Sequence, residues 1–557
     1  MNPDSSQASE TNSHHPEIAP EFELPVQGFA GTPDEIERQW FETVYKGRGD
    51  SMAQLTWRAV LMGSVLGGVL SLTNLYIGLK AGWGFGVAIT ACILSYAIWT
   101  GLFKIGFAKT PMTILENNCM QSTASSAGYS TGGTLISAFA AYIILNGHPL
   151  PIPLTLAWIF FLAVLGVTMA IPMKRQMVNI EQLRFPSGIA AAETLRALHS
   201  HGTKGVRAAK ALGIAGIIAA LDKFWAEGLT LISPHLEKFT SAELITRFEK
   251  WIFGGAYDLW KGRTVMFSWD MIFVAAGAIT GMRVCVSMLI SGTLCWAVFV
   301  PILQHHGYIS MQGGFRDTVQ WTLWGGTACM VTGGILSFLL QWKSILRAFR
   351  SLGEMFSKTT TKRDDIESVE TPMSWFAIGQ FISLIALAWL AHVSFDMPYW
   401  QSALAVVLSF GLALVACRIT GETDTTPIGA MGKVTQLTFG AINPGNVNVN
   451  LMSANITASA AASSADLLTD LKSGYLLGAN PRQQFLAQFA GIFVGTVVTV
   501  FAFSVLVPNA AALGTDQFPA PAAQTWSAVA KALSHGLESL EPIKVWSIVI
   551  GGAVGII

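Results

Sequence analysis

Carboxylates and carboxamides set inside long apolar stretches are the groups in this sequence that could do chemistry. The densest set is Glu116-Asn117-Asn118-Cys119-Met120-Gln121. Helical spacing puts Glu116 and Met120 on one face with Asn117 and Gln121 beside them. Such a cluster of donors and acceptors suits a polar, zwitterionic solute, and a carboxyl at Glu116 could also carry a proton. The plainer alternative is that Glu116 caps the short helix after Pro111, because acidic side chains are favoured at helix N-termini. A second set, Asn443, Asn446, Asn448, Asn450 and Asn455, surrounds Pro444-Gly445. Glu116, Asn117, Asn118, Gln121, Asn446, Asn448, Asn450 and Asn455 are therefore the candidate solute-binding residues.

Charge within a bilayer costs roughly 2.5–3.5 kcal/mol or more unless it is paired or wet, so ionisable residues in apolar runs are candidates for proton coupling or gating. These are Glu116, Asp270, Asp466 and Asp470. Asp270 also fits a span boundary, as does Arg283. Asp466 and Asp470, four apart and so on one face, read equally as a cytoplasmic ion pair with Lys472 or as a gate or proton site at the exit of a hairpin.

Other chemistry finds little support. Gly128-Tyr129-Ser130-Thr131-Gly132 matches GxSxG, but that elbow works on a strand-to-helix turn of an α/β sheet. Gly432-Lys433 lacks the upstream glycine and the Ser/Thr of a phosphate-binding loop, so ATP is not the expected driving force. The six cysteines occur singly, without metal-ligand spacing, and read as small packing residues. No catalytic residue, metal site or cofactor is expected.

The elements that position these residues follow from composition. Of 557 residues, 52% are hydrophobic and 12% charged, against roughly 25% charged in soluble domains. Bilayer is the solvent that fits. Basic and acidic residues balance at 34 each, which gives no basic surface for nucleic acid. Apolar runs predict spans near 57–79, 83–103, 154–172, 211–231, 264–281, 283–303, 321–341, 373–394, 399–417 and 484–507. Lys and Arg collect at 174–210 and 342–372, which places those loops and the N-terminus in the cytoplasm, with the plasma membrane the expected location. The expected organisation is a Ser-, Pro- and Glu-rich disordered cytoplasmic tail at 1–56, a first transmembrane half at 57–341, a cytoplasmic linker at 342–372 and a second half at 373–557. The fold class is all-α, a polytopic integral membrane bundle of two related halves with broken or re-entrant helices.

Segment 112–146 is 35 residues long, about 52 Å as a helix, and so must break. Gly128, Gly132 and Gly133 mark the place. Segment 434–465, with its Pro-Gly pair and basic flanks at Arg418 and Lys433 before it and Lys472 and Arg482 after it, reads as a re-entrant hairpin returning to the cytoplasmic side. Gln121-Ser-Thr-Ala-Ser125 resembles Asn455-Ile-Thr-Ala-Ser459, and repeat-built transporters place interrupted segments at corresponding positions of two halves, with substrate between them. A second half mirroring the first would extend past 557, so the expectation is a missing C-terminal portion. Gly63…Gly67, Gly82…Gly86 and Gly277…Gly281 have the spacing of close helix packing.

Four blocks, ENNCMQSTASSAGYSTGG (116–133), RFPSGIAAAETLRALH (184–199), FSWDMIFVAAGAITG (267–281) and SADLLTDLKSGYLLGANPR (464–482), together resemble the oligopeptide transporter superfamily. The second and fourth look closer to its yellow-stripe-like arm, which carries metal–nicotianamine chelates. Ser464 departs from that arm's pattern, which has alanine there. The resemblance implies a repeat-built, proton-coupled importer of small peptides or metal–chelate complexes. It also implies functional positions at Glu116, Asn117 and Gln121, at Pro186, Ser187 and Gly188, and at Asp466, Asp470, Lys472 and Tyr475. Any metal would arrive already chelated. The expected function is secondary active, proton-coupled transport of oligopeptides or chelates, with protons, lipid and the solute as partners and self-association left open. The rivals are an intramembrane enzyme and a passive channel.

Overall fold

Apolar runs of membrane length fold as helices because hydrocarbon offers no partner to a backbone N–H or C=O. In the computed structural model this holds throughout: all regular elements among the described residues are helical. Those residues are 28–82, 84, 86–130, 132–199, 203–263, 265, 267, 271–310, 315–340, 342, 343, 346, 364–515, 517–535 and 540–557.

The principal helices are α1 (Pro33–Trp40), α2 (Trp57–Ala81), α3 (Ala88–Lys104), α4 (Ile114–Ser125), α5 (Ala140–Asn146), α6 (Ile152–Lys174), α7 (Pro186–His199), α8 (Thr203–Lys223), α9 (Ser241–Phe253), α10 (Met271–Thr280) and α11 (Met282–Thr293). They continue with α12 (Phe315–Leu340), α13 (Met373–Phe395), α14 (Tyr399–Thr423), α15 (Ile428–Ile442), α16 (Val447–Leu477), α17 (Pro481–Leu506), α18 (Pro521–His535) and α19 (Pro542–Ile556). Six stretches among the described residues are long and apolar enough to cross a membrane: Trp57–Ala81, Ile152–Ile180, Met282–His305, Ile366–Phe395, Tyr399–Thr423 and Pro481–Leu506. The protein is a polytopic integral membrane helical bundle.

Segment 112–146, expected to break, stays helical among the described residues from Ile114 to Ser130 and from Gly132 to Asn146, and only loosens beside its glycines. After α4 the backbone loosens into π-helical turns at Ser126–Ser130 and Leu135–Phe139 before α5 resumes. Glycine faces on two neighbours hold this segment. A Cβ at Gly63 of α2 would stand 2.6 Å from the Met120 carbonyl oxygen, and one at Gly491 of α17 would stand 2.2 Å from that of Thr123. The Gly63…Gly67 spacing thus forms the close packing expected of it. At Gly82…Gly86, by contrast, nothing approaches Gly86.

Two further expectations change. The second hairpin is present, turning at Asn443–Asn446 between α15 and α16, but its return arm does not stop near 465. It runs unbroken through 31 residues to Leu477, about 46 Å. Asp466 and Asp470 therefore lie within a long, largely buried helix and not at a hairpin exit. The second change concerns 28–56, expected as part of a solvated tail. Here α1 and a π-helical turn at Phe41–Tyr45 dock on the bundle, burying Trp40, Val44 and Tyr45. Trp40 donates from Nε1 to the Tyr475 carbonyl oxygen at 2.8 Å and stacks on the Tyr475 ring at 5.1 Å. Average composition over 56 residues conceals three apolar side chains placed on one helical face.

Candidate functional site

A cavity of about 570 Å³ opens between the loosened segment 126–139 and the second hairpin. Gly128, Gly133, Thr134 and Ser137 come from the former, Lys433 from α15, and Asn455, Ala458, Ser459 and Ala462 from α16. Asn74 on α2 and Thr525 and Trp526 on α18 complete much of its wall. Small residues at 128, 133, 458 and 462 keep the space open. Its volume is in the range of small-molecule sites.

Neutral hydrogen bonds tie the walls together. The Thr134 and Ser459 hydroxyls lie 2.7 Å apart, joining the two segments directly. Asn74 Nδ2 donates to the Gly128 carbonyl oxygen at 3.1 Å, at the point where the first segment loosens. Trp158 Nε1 donates to Asn455 Oδ1 at 2.8 Å, which orients that amide. Lys433 is buried, donates from Nζ to Gln436 Oε1 at 2.9 Å, and lies 4.5 Å from the Trp526 ring centroid.

A second polar cluster lies away from the cavity, around Asp470. Gln121 Nε2 donates to its Oδ1 at 2.6 Å and Gln488 Nε2 to its Oδ2 at 2.5 Å. Gln484 Nε2 bridges the Asp470 carbonyl oxygen (2.6 Å) and Ser122 Oγ (2.9 Å). Ser473 Oγ donates to Asn118 Oδ1 at 2.9 Å, and Ser95 Oγ to Asn117 Oδ1 at 2.6 Å. Asn117 Nδ2, Asn118 Nδ2, Gln121 Oε1 and Asp466 Oδ2 are buried with no hydrogen-bond partner among the described residues. Gly188 packs on this stretch of α16, where a Cβ would stand 2.4 Å from the Thr469 carbonyl oxygen. Ser187 meanwhile donates from N and Oγ to Asp424 at 2.8 and 2.7 Å.

The residues singled out by sequence thus separate. Asn455 lines the cavity. Asn117, Asn118, Gln121 and Asp470 belong to the second cluster. Asn446 caps α16, accepting from Val449 N at 3.0 Å, Asn448 pairs with Asn146, and Asn450 donates to the Gln436 carbonyl oxygen. None of these three lines the cavity. Glu116 accepts from Thr113 N (2.9 Å), Thr56 Oγ1 (2.7 Å), and Arg58 Nε (2.7 Å) and Nη2 (2.5 Å). This is the geometry of the capping alternative. Asp270 lies outside the described residues. Lys433, Asn74, Thr134, Ser459 and Trp526 were not singled out by the sequence. Lys433 did carry a signal, as the one charged residue in the fifteen of α15, but its position beside a predicted hairpin made it look like a flank.

The capping geometry leads to a direct expectation. In Glu116→Gln the ion pair and the N–H acceptor weaken together while Arg58, 27% exposed, stays hydrated. The expected cost is about 1–2 kcal/mol of stability. Thermal denaturation in detergent checks this, and an unchanged midpoint would remove the capping role.

The OPT oligopeptide transporter family model matches residues 54–557. The chain belongs to that family. Its members are membrane transporters and not enzymes. Among curated relatives, the maize (Zea mays) iron-phytosiderophore transporter yellow stripe 1 is 24% identical, covering 84% of this chain and 73% of its own. A Saccharomyces cerevisiae protein provisionally named an oligopeptide transporter is 22% identical over 86% of this chain and 81% of its own. A rice (Oryza sativa subsp. japonica) protein provisionally named a metal-nicotianamine transporter is 25% identical over 87% and 72%. This OPT-family chain therefore has yellow-stripe-like relatives as well as oligopeptide-transporter ones, as its sequence blocks led us to expect.

Proposed function

We propose that this protein is a secondary active, proton-coupled transporter that moves small oligopeptides or related metal–chelate complexes across the plasma membrane, with its N-terminus in the cytoplasm. The observation that carries the reading is the cavity shared by the loosened segment 126–139 and the second hairpin. Irregular backbone at membrane depth is tolerated where it lines a wet space, and repeat-built carriers bind solute between such segments. With the N-terminus inside, the cavity lies toward the outer end of α2, between Asn74 and Gly82, and the docked 28–56 segment covers the inner side. In this arrangement Asn455 and its neighbours hold solute. Of the carboxylates considered for coupling, Asp470 is the best placed: the amides of Gln121 and Gln488 that meet it are neutral, whereas Glu116 is engaged by Arg58.

Uptake into proteoliposomes holding the full chain tests this, with labelled di- to tetrapeptides and ferric chelates under an inwardly directed proton gradient. Saturable accumulation that a protonophore abolishes is expected for one class of solute. If neither class accumulates, the reading fails, and conductance without saturation would favour a passive channel.

A further inference from the structure

Resting on the transport reading above, we propose that Lys433 receives a carboxylate of the transported solute, so that the cavity selects solutes carrying at least one free carboxylate. Among the described residues that line the cavity, Lys433 is the sole ionisable side chain. It is 3% exposed, and no carboxylate lies within ion-pair distance of it among the described residues. Among the described residues it meets one amide oxygen, Gln436 Oε1, and the face of Trp526. An ammonium group has three donors, so one amide acceptor leaves capacity that the cavity side can use.

Of the other buried cations, Lys174 is matched by Glu370, and Arg418 by Glu181 and Glu422, while Lys472 lies 5.5 Å from the Tyr475 ring and away from the cavity. Among these buried cations Lys433 is the one that lines the cavity, where a counter-charge can enter. Trp526 and Gln436 hold the ammonium in place, since Gln436 Nε2 in turn donates to the Trp526 carbonyl oxygen at 3.3 Å. A solute carboxylate would complete the charge, while Asn455, Ser459 and Thr134 are neutral groups for its remaining polar atoms. Peptides present a C-terminal carboxylate and amino-acid-type metal chelates present several, so this chemistry is common to both solute classes.

Equilibrium binding to the purified full chain tests the inference without requiring transport. Two probe pairs separate the sources: a tetrapeptide with its C-terminal amide, and a ferric polycarboxylate chelate with its methyl ester. At least about 30-fold weaker binding is expected when the carboxylate is masked, the scale of removing one partner of a buried charge pair. Lys433→Gln is expected to abolish that discrimination and Lys433→Arg to retain it. Equal binding of the masked and free forms to the unaltered protein, undiminished discrimination in Lys433→Gln, or no binding of either acid would each overturn the proposal. The uptake experiment decides separately whether the chain is a carrier.

Discussion

Replacing Asp470 by Asn is expected to reduce gradient-driven accumulation of solute at least about tenfold while leaving solute exchange across the membrane in place. Two amide N–H groups, from Gln121 and Gln488, point at the two carboxylate oxygens. Asparagine keeps one oxygen and turns an NH₂ toward the other donor, so it loses the exchangeable proton and one acceptor at once. The cluster joins α16 to α4 and α17, and α16 and the segment beginning at α4 also wall the cavity. On the proposed reading, a change in charge at Asp470 acts on the tie between the two elements that wall the cavity. The cluster and the cavity lie at different levels of the same pair of elements, so exchange is expected to survive when accumulation does not. Counterflow and pH-jump uptake in parallel decide this. Full pH-driven accumulation by Asp470→Asn would remove Asp470 from the coupling mechanism.

A second large effect is expected at the docked N-terminal segment, where Trp40→Ala should loosen the residues around α1 from the bundle. Trp40 is 1% exposed and stacks nearly parallel on Tyr475, and its indole N–H is satisfied by the Tyr475 carbonyl oxygen. Truncating a buried Trp costs about 3–5 kcal/mol, and here the lost hydrogen bond adds to it. Around Trp40 the other anchors include Arg175 on Glu37, with two 2.7 Å bonds, and Gln182 exchanging hydrogen bonds with Phe29, while Asn480 holds the far end of the segment, donating to Gln54 Oε1 at 2.8 Å and to the Tyr45 hydroxyl at 3.2 Å. Arg175 is 45% exposed, so its pair contributes little once the aromatic anchor is gone. Brief trypsin treatment should then cut at Arg38, Lys46 and Arg48 much faster than in the unaltered protein. Equal cleavage rates would show that Trp40 does not hold this segment.

Much of this was legible in the residues themselves. Apolar length gave the all-helical membrane bundle, because a bilayer leaves the backbone no other way to satisfy its hydrogen bonds. Glycine placement marked where the helix loosens into π-helical turns after Ser125, but length forced no break there, just as it forced none in the 31 residues of α16. Pro444-Gly445 marked the second hairpin for a related reason. Polar residues in apolar surroundings marked Asn117, Gln121, Asn455 and Asp470 as worth explaining.

Tertiary structure decided how those residues group. Gln121 and Asp470 stand 349 positions apart in sequence and meet at 2.6 Å, a pairing that no local period encodes. Lys433 looked like a membrane flank because charge next to a turn usually is one, and only the packing of α18 over α15 shows it buried under Trp526. Asn448 and Asn450 satisfied every sequence criterion for lining a solute path, yet their helix presents Asn455 and Ser459 to the cavity and turns those two elsewhere. Local sequence sets what each segment buries and where it bends, since those are short-range energies. Which buried amide meets carboxylate, carbonyl or open space depends on helices brought together by long-range packing, and that assignment separates a coupling group from a solute contact.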